Sequence, residues 1–105
     1  MRFVETPVFT EQITSALDDV SYRKLQLALL LRPEQGVVIP GSGGLRKLRW
    51  AGSGRGKRGG VRVIYFWHSE DEIFYMLYAY PKNEQSDLTP AQIRILRHLV
   101  EEQFK

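Results

Sequence analysis

The 105 residues carry 15 Lys and Arg against 12 Asp and Glu, with 43% hydrophobic and 26% charged side chains and no cysteine. This balance describes an ordinary folded chain with one hydrophobic core, so a single domain over residues 1–105 is expected and a disordered chain is excluded. Disulfides and thiolate metal sites are excluded. MRFVETPVF lacks the apolar core of a secretory signal, and the longest apolar run, Leu27 to Leu31, is too short for a bilayer, so a cytoplasmic protein with no membrane partner is expected.

Arg2 to Glu5 is β-compatible and predicts one strand. Thr6-Pro7 reads as the cap and first position of a helix, because proline presets φ and gives up only a donor that a helix start leaves orphaned. Phe9, Ile13, Ala16 and Leu17 then line one apolar face, and Asp18-Asp19 interrupts it. A second helix is predicted over Ser21 to Leu31, with Tyr22, Leu25, Ala28 and Leu29 inward. Pro33 stops it by pushing the preceding residue out of the helical region. The pair reads as a helical hairpin packed on a sheet.

Val37 to Ile39 is a brief strand candidate that Pro40 ends. Leu45 to Trp50 alternates, with Leu45, Lys47 and Arg49 on one face and Arg46, Leu48 and Trp50 on the other. Val61 to His68 and Ile73 to Tyr80, rich in β-branched and aromatic residues, make the strongest strands, joined by a turn over Ser69 to Glu72. Thr89-Pro90-Ala91-Gln92 is a capping box with proline at the first helical position, and it opens a helix whose inward stripe is Ile93, Leu96, Val100 and Phe104. The order β-α-α-β-β-β-α predicts an α+β domain with a mainly antiparallel sheet of about four strands.

Charge is unevenly placed along this order. Residues 46–62 hold seven basic and no acidic side chains, so the rest of the chain sums to −4 within a whole-chain charge of +3. Cations gathered this closely repel one another unless an anion meets them, which points to phosphate binding. A P-loop is not the form it takes: Ala51 stands where its first glycine belongs, and Arg58 where its magnesium-binding Ser or Thr belongs. Lys47 and Arg49 share a face, and Arg62 opens the neighbouring strand after a tight turn, so the three are expected to converge near Tyr80 and Lys82. His68 and His98 have no partners at metal-ligand spacing, so neither metal nor cofactor is expected.

The segments LRKLR, GKRGGVRVIYF and YAYPKNEQSDL resemble the RelE superfamily of bacterial type II toxins, and within it the HigB-type branch. The likeness covers nearly the whole chain, and the GKRGG-x-R-[VI]-I-Y block is its most distinctive part. The resemblance implies a ribosome-dependent, metal-independent mRNA endoribonuclease that cuts in the ribosomal A site. It also implies a cognate antitoxin as partner, of the HigA-like kind with a helix-turn-helix domain. The family's basic residues fall on Lys47, Arg49 and Arg62, and its basic turn after the last strand on Lys82 and Asn83. Arg46, Arg55, Lys57 and Arg58 are the expected contacts to RNA and ribosome. RelE places a tyrosine a few residues beyond that turn, where this chain has Leu88-Thr89. The alternative is a protein of the same fold that binds RNA, ribosome or antitoxin without cutting.

Cleaving RNA through its own 2′-hydroxyl needs a base, charge stabilisation at phosphorus and an acid for the departing 5′-oxygen. Arginine forks well onto phosphate oxygens, which suits Arg62 to the transition state. A lysine crowded by cations loses preference for its charged form, which makes Lys47 a candidate base. Arg49, Lys82 and Tyr80 are the candidates at the leaving oxygen.

Overall fold

A computed structural model describes residues 1–51 and 60–104. Arg55, Lys57 and Arg58 lie outside the described residues. The elements are β1 (Arg2–Glu5), α1 (Pro7–Ala16), α2 (Asp19–Leu31), β2 (Val37–Val38), β3 (Arg46–Trp50), β4 (Val61–His68), β5 (Ile73–Pro81) and α3 (Pro90–Gln103). Each helix starts where a side chain can take up an orphaned backbone N–H. Thr6 Oγ1 accepts from Phe9, Asp18 from Ser21, and Thr89 from Gln92, whose own side chain accepts from the Thr89 N–H. Because Asp18 is a cap, α2 begins at Asp19, two residues before the predicted start.

The sheet has five strands in the order β1-β5-β4-β3-β2, rather than about four. All its pairs are antiparallel except β1 with β5, which run parallel. The extra strand is β2, two exposed valines that pair with Lys47 and Arg46 at the open edge of β3. Helices cover both faces. Phe9 and Ile13 of α1 and Leu25 and Leu29 of α2 pack against Leu48, Val63, Tyr65, Phe74 and Met76 of the sheet. On the other face Leu96 and Val100 of α3 pack against Leu45, Ile64, Tyr75, Leu77 and Tyr80. Fully burying side chains such as Phe9, Leu25 and Phe74 contributes about 1.5–3 kcal/mol each, and this holds the layers together.

One irregularity in β5 decides which way its last side chains face. Ile64 pairs with Tyr78 while Tyr65 pairs with Met76, so Leu77 is an extra residue, a β-bulge. Up to Leu77 the odd-numbered residues of β5 face α3; beyond it Tyr78 and Tyr80 do, and Ala79 turns to the other core. Side chains from the start of the chain satisfy the backbone around the bulge. Thr6 Oγ1 donates to the Leu77 carbonyl at 2.9 Å, and the Ala79 N–H donates to Gln12 Oε1 at 2.8 Å.

Glu5 fastens β1 to the helical hairpin by accepting from both Thr10 Oγ1 and the Tyr22 hydroxyl. Burial first, then the Glu5 carboxylate, raises the Tyr22 phenol above its ordinary range. The loop into β2 is tied by the Tyr65 hydroxyl, which donates to the Pro33 carbonyl at 2.8 Å and accepts from the Gly36 N–H at 3.0 Å. A Cβ at Gly36 would stand 2.9 Å from that hydroxyl oxygen, so the close approach requires glycine. Among the described residues, no helix is long and apolar enough to cross a membrane.

Candidate phosphate-binding site

Strand register builds the site on the α3 face. Arg49 pairs with Arg62, and Arg62 pairs with Tyr80, so the three form one row across β3, β4 and β5. The adjacent row on the same face is Lys47, Ile64 and Tyr78. Cross-strand neighbours of this kind have Cβ atoms about 4.5–5.5 Å apart. The period-two pattern of β3 and β4 supplies Lys47, Arg49 and Arg62, and the bulge at Leu77 brings Tyr80 round to join them.

Gly60 makes the turn into β4 possible. It has φ +67°, and a Cβ there would lie 2.1 Å from the Trp50 carbonyl oxygen. Only glycine fits so close to the end of β3, and Arg62 follows two residues later. The Lys82 N–H reaches the Gly60 carbonyl at 3.4 Å, which brings the turn after β5 to the same end of the sheet. Lys82 and Asn83 are exposed in that turn.

Burial divides the row. Arg62 is 5% exposed and Tyr80 3%, whereas Arg49 is open to solvent. The Tyr80 hydroxyl is buried with no hydrogen-bond partner among the described residues, an arrangement that ordinarily costs about 1–3 kcal/mol. Burial first, and then the Asp87 carboxylate, raises the Tyr80 phenol above its ordinary range, while Arg62 opposes the shift. At neutral pH the group is a protonated donor.

An acidic side chain that sequence reasoning passed over completes the cluster. Lys47 Nζ donates to Asp87 Oδ1 at 2.7 Å. The hydrogen bond from Lys47 first, then its charge, holds the Asp87 carboxyl below its ordinary range. Asp87 lies on the stretch leading into the α3 cap, and no local pattern marks its contact with a lysine 40 residues earlier.

Arg46 does not join the cluster. Its Nη1 donates to the carbonyls of Glu34 and Gly36 at 3.0 and 2.8 Å, and Nη2 lies 3.5 Å from Glu34 Oε2. It fastens the α2–β2 loop. His68 stacks on Phe104 with ring centroids 4.3 Å apart, and exposed His98 lies 3.9 Å from Glu102. Among the described residues, no three His, Cys, Asp or Glu side chains are grouped to hold a metal ion.

The arrangement gathers two arginines, a neutral phenol and a lysine at one end of a sheet, a set of positive charges and donors that suits an anion with several oxygens. The family model described as the RelE toxin of the RelE/RelB toxin–antitoxin system matches residues 18–105. That span includes every residue of the site.

Proposed function

The chain belongs to the RelE toxin family, and on that premise we propose that it is the toxin of a type II toxin–antitoxin system, of the HigB-type branch. It acts as an endoribonuclease on translated mRNA in the ribosomal A site, and a cognate antitoxin, HigA-like with a helix-turn-helix domain, neutralises it. The observation that carries the reading is the buried Tyr80 hydroxyl, without a hydrogen-bond partner among the described residues, in register with Arg62 and Arg49. A donor left unsatisfied beside two guanidinium groups suits a ligand with acceptor oxygens.

In the proposed reaction the 2′-hydroxyl oxygen attacks phosphorus, the bond to the 5′-oxygen breaks, and a 2′,3′-cyclic phosphate and a 5′-hydroxyl result. Arg62 and Arg49 hold the phosphate oxygens where negative charge develops. Tyr80 gives its proton to the departing 5′-oxygen, and Lys82 stands at the same end of the sheet as an additional cation. Lys47 accepts the 2′-hydroxyl proton as a neutral amine, and to do so it must first part from Asp87 and give up its ammonium proton to solvent. No strong base is preset for the task, consistent with an enzyme that relies on the ribosome to orient its substrate.

Arg55, Lys57 and Arg58, with exposed Asn83, supply the attraction to ribosomal RNA in this reading. The test is to induce the chain without antitoxin and sequence transcript 5′ ends. New ends within translated messages, phased to the reading frame, are expected. Growth arrest without new ends would leave a protein of this fold that binds RNA or ribosome without cutting. Normal growth at confirmed soluble expression would leave one that only binds an antitoxin.

A further inference from the structure

A cavity of about 370 Å³ lies beside the cationic rows, between the β2 edge, β3 and the approach to α3. Its walls are apolar, from Val38, Ile39, Pro40, Leu88 and Ile93, and its polar groups are Lys47 and Asp87. Apolar walls with one or two placed polar groups are the usual form of a small-molecule site, and the volume falls within the roughly 300–1,000 Å³ such sites occupy. Lys47 thus belongs to two places at once, the phosphate-binding face and this cavity.

We propose that the cavity holds the nucleobase of the residue whose 2′-hydroxyl attacks, and that Asp87 reads that base as guanine. The proposal rests on the nuclease reading. The Lys47–Asp87 pair sits at the surface, with the lysine side chain half-buried at 32% exposure and the aspartate exposed at 71%, and pairs so open to water on one side are weak. A phosphate and a 2′-hydroxyl arriving at Lys47 therefore compete for it on favourable terms. Asp87 is then left as an ionised, acceptor-only carboxylate at the rim of an apolar cavity.

Such a group needs donors, and the bases differ in what they offer. Guanine presents N1–H and N2–H side by side, one for each carboxylate oxygen. Adenine and cytosine set an amino group beside a ring acceptor, which a carboxylate repels. Uracil places its single N3–H between two carbonyls. The flat faces of the base meet Ile39, Leu88 and Ile93. Carboxylate-to-base pairing of this kind resembles the way acidic side chains select amino-bearing bases in nucleic-acid grooves.

The experiment is a nuclear magnetic resonance titration of the whole protein with 3′-GMP, 3′-AMP, 3′-CMP and 3′-UMP, which needs no ribosome and no cleavage. 3′-GMP is expected to bind on the order of tenfold more tightly than 3′-UMP, the low end of what one bidentate pair discriminates. Shifts should reach Ile39, Leu88 and Ile93. Asp87→Asn should erase the preference for 3′-GMP and move it toward 3′-AMP, whose edge suits an amide. Equal affinity for the four nucleotides, or shifts confined to Arg49, Arg62 and Tyr80, would overturn the base-reading role. A second arm measures single-turnover cleavage on ribosomes carrying codons that differ at one base. A change of base preference in Asp87→Asn supports the proposal, whereas a loss equal at every codon makes Asp87 a positioning residue of the phosphate site and overturns it. Base-selective binding by a protein that never cuts would leave the cavity assignment standing and remove the nuclease reading.

Discussion

Arg62 and Tyr80 are register partners on adjacent antiparallel strands, both almost wholly buried, and the hydroxyl of Tyr80 has no partner among the described residues. Folding has placed a cation beside an unused donor inside the sheet, where neither gains from water. The two residues make separable predictions.

Arg62→Ala should lose about 2.7–4 kcal/mol of transition-state stabilisation, by analogy with removal of one oxyanion donor. At about 1.4 kcal/mol per decade this is on the order of a hundredfold or more in single-turnover cleavage on programmed ribosomes. Arg62→Lys should recover little, since it keeps the charge and loses the fork. Ribosome affinity, assayed separately, should fall far less. Wild-type cleavage by bound Arg62→Ala would move the reaction away from this row.

Tyr80→Phe should uncouple stability from activity. Removing a buried hydroxyl without a partner leaves the fold as stable as before, or more stable by about 1 kcal/mol. Losing a general acid should cost about a hundredfold or more in rate. Thermal unfolding and single-turnover cleavage of the same preparation check both. Tyr80→Phe that melts earlier and cuts normally would make the phenol a packing residue.

The Asp87 carboxyl sits below its ordinary value of 3.8 because of Lys47. A depressed carboxyl contributes its full stabilisation above the unfolded-state value, where it is ionised in both states. The contribution fades as pH falls through the lower folded-state value. Urea midpoints should therefore drop less for Asp87→Asn than for the wild type between pH 6 and about pH 2. Parallel pH curves for the two proteins would mean that the ion pair does not persist in solution.

Gly60→Ala is expected to be costly although it adds a single methyl group. The left-handed φ of +67° and the Trp50 carbonyl oxygen 2.1 Å from the added carbon both oppose it. About 1–3 kcal/mol or more should be lost, read from chemical denaturation. Cleavage by the folded fraction should also fall, since the residue aims Arg62.

Arg55, Lys57 and Arg58 should act together through charge. Each phosphate contact removed by alanine is expected to flatten the log–log salt dependence of ribosome binding by on the order of 0.7–0.9. An unchanged slope for the triple substitution would rule out docking by these residues.

Much of the fold was legible because its signals are local. Thr6-Pro7 and Thr89-Pro90-Gln92 mark helix starts within a few residues, and the alternation of Leu45 to Trp50 already separates Arg46 from Lys47 and Arg49. What stayed hidden depends on partners distant in sequence. The bulge at Leu77 shows only once β5 is laid against β4, and without it strict alternation would send Tyr80 to the opposite core. Asp87 reads as an ordinary residue before a helix cap until Lys47 reaches it. β2, by contrast, is already a strand candidate at Val37 to Ile39, and what the sequence leaves out is its partner, the edge of β3.

The parallel pairing of β1 with β5 also sets an order of events during synthesis. Arg2 to Glu5 are made before their partners Ile73 to Met76, which follow some 71 residues later. At about 5–20 residues per second, the opening strand waits for several seconds before it has anything to pair with. Tyr80 comes later still, and the row it shares with Arg49 and Arg62 waits for it. Until β5 is made, Arg49 and Arg62 stand side by side without the strand that closes their row.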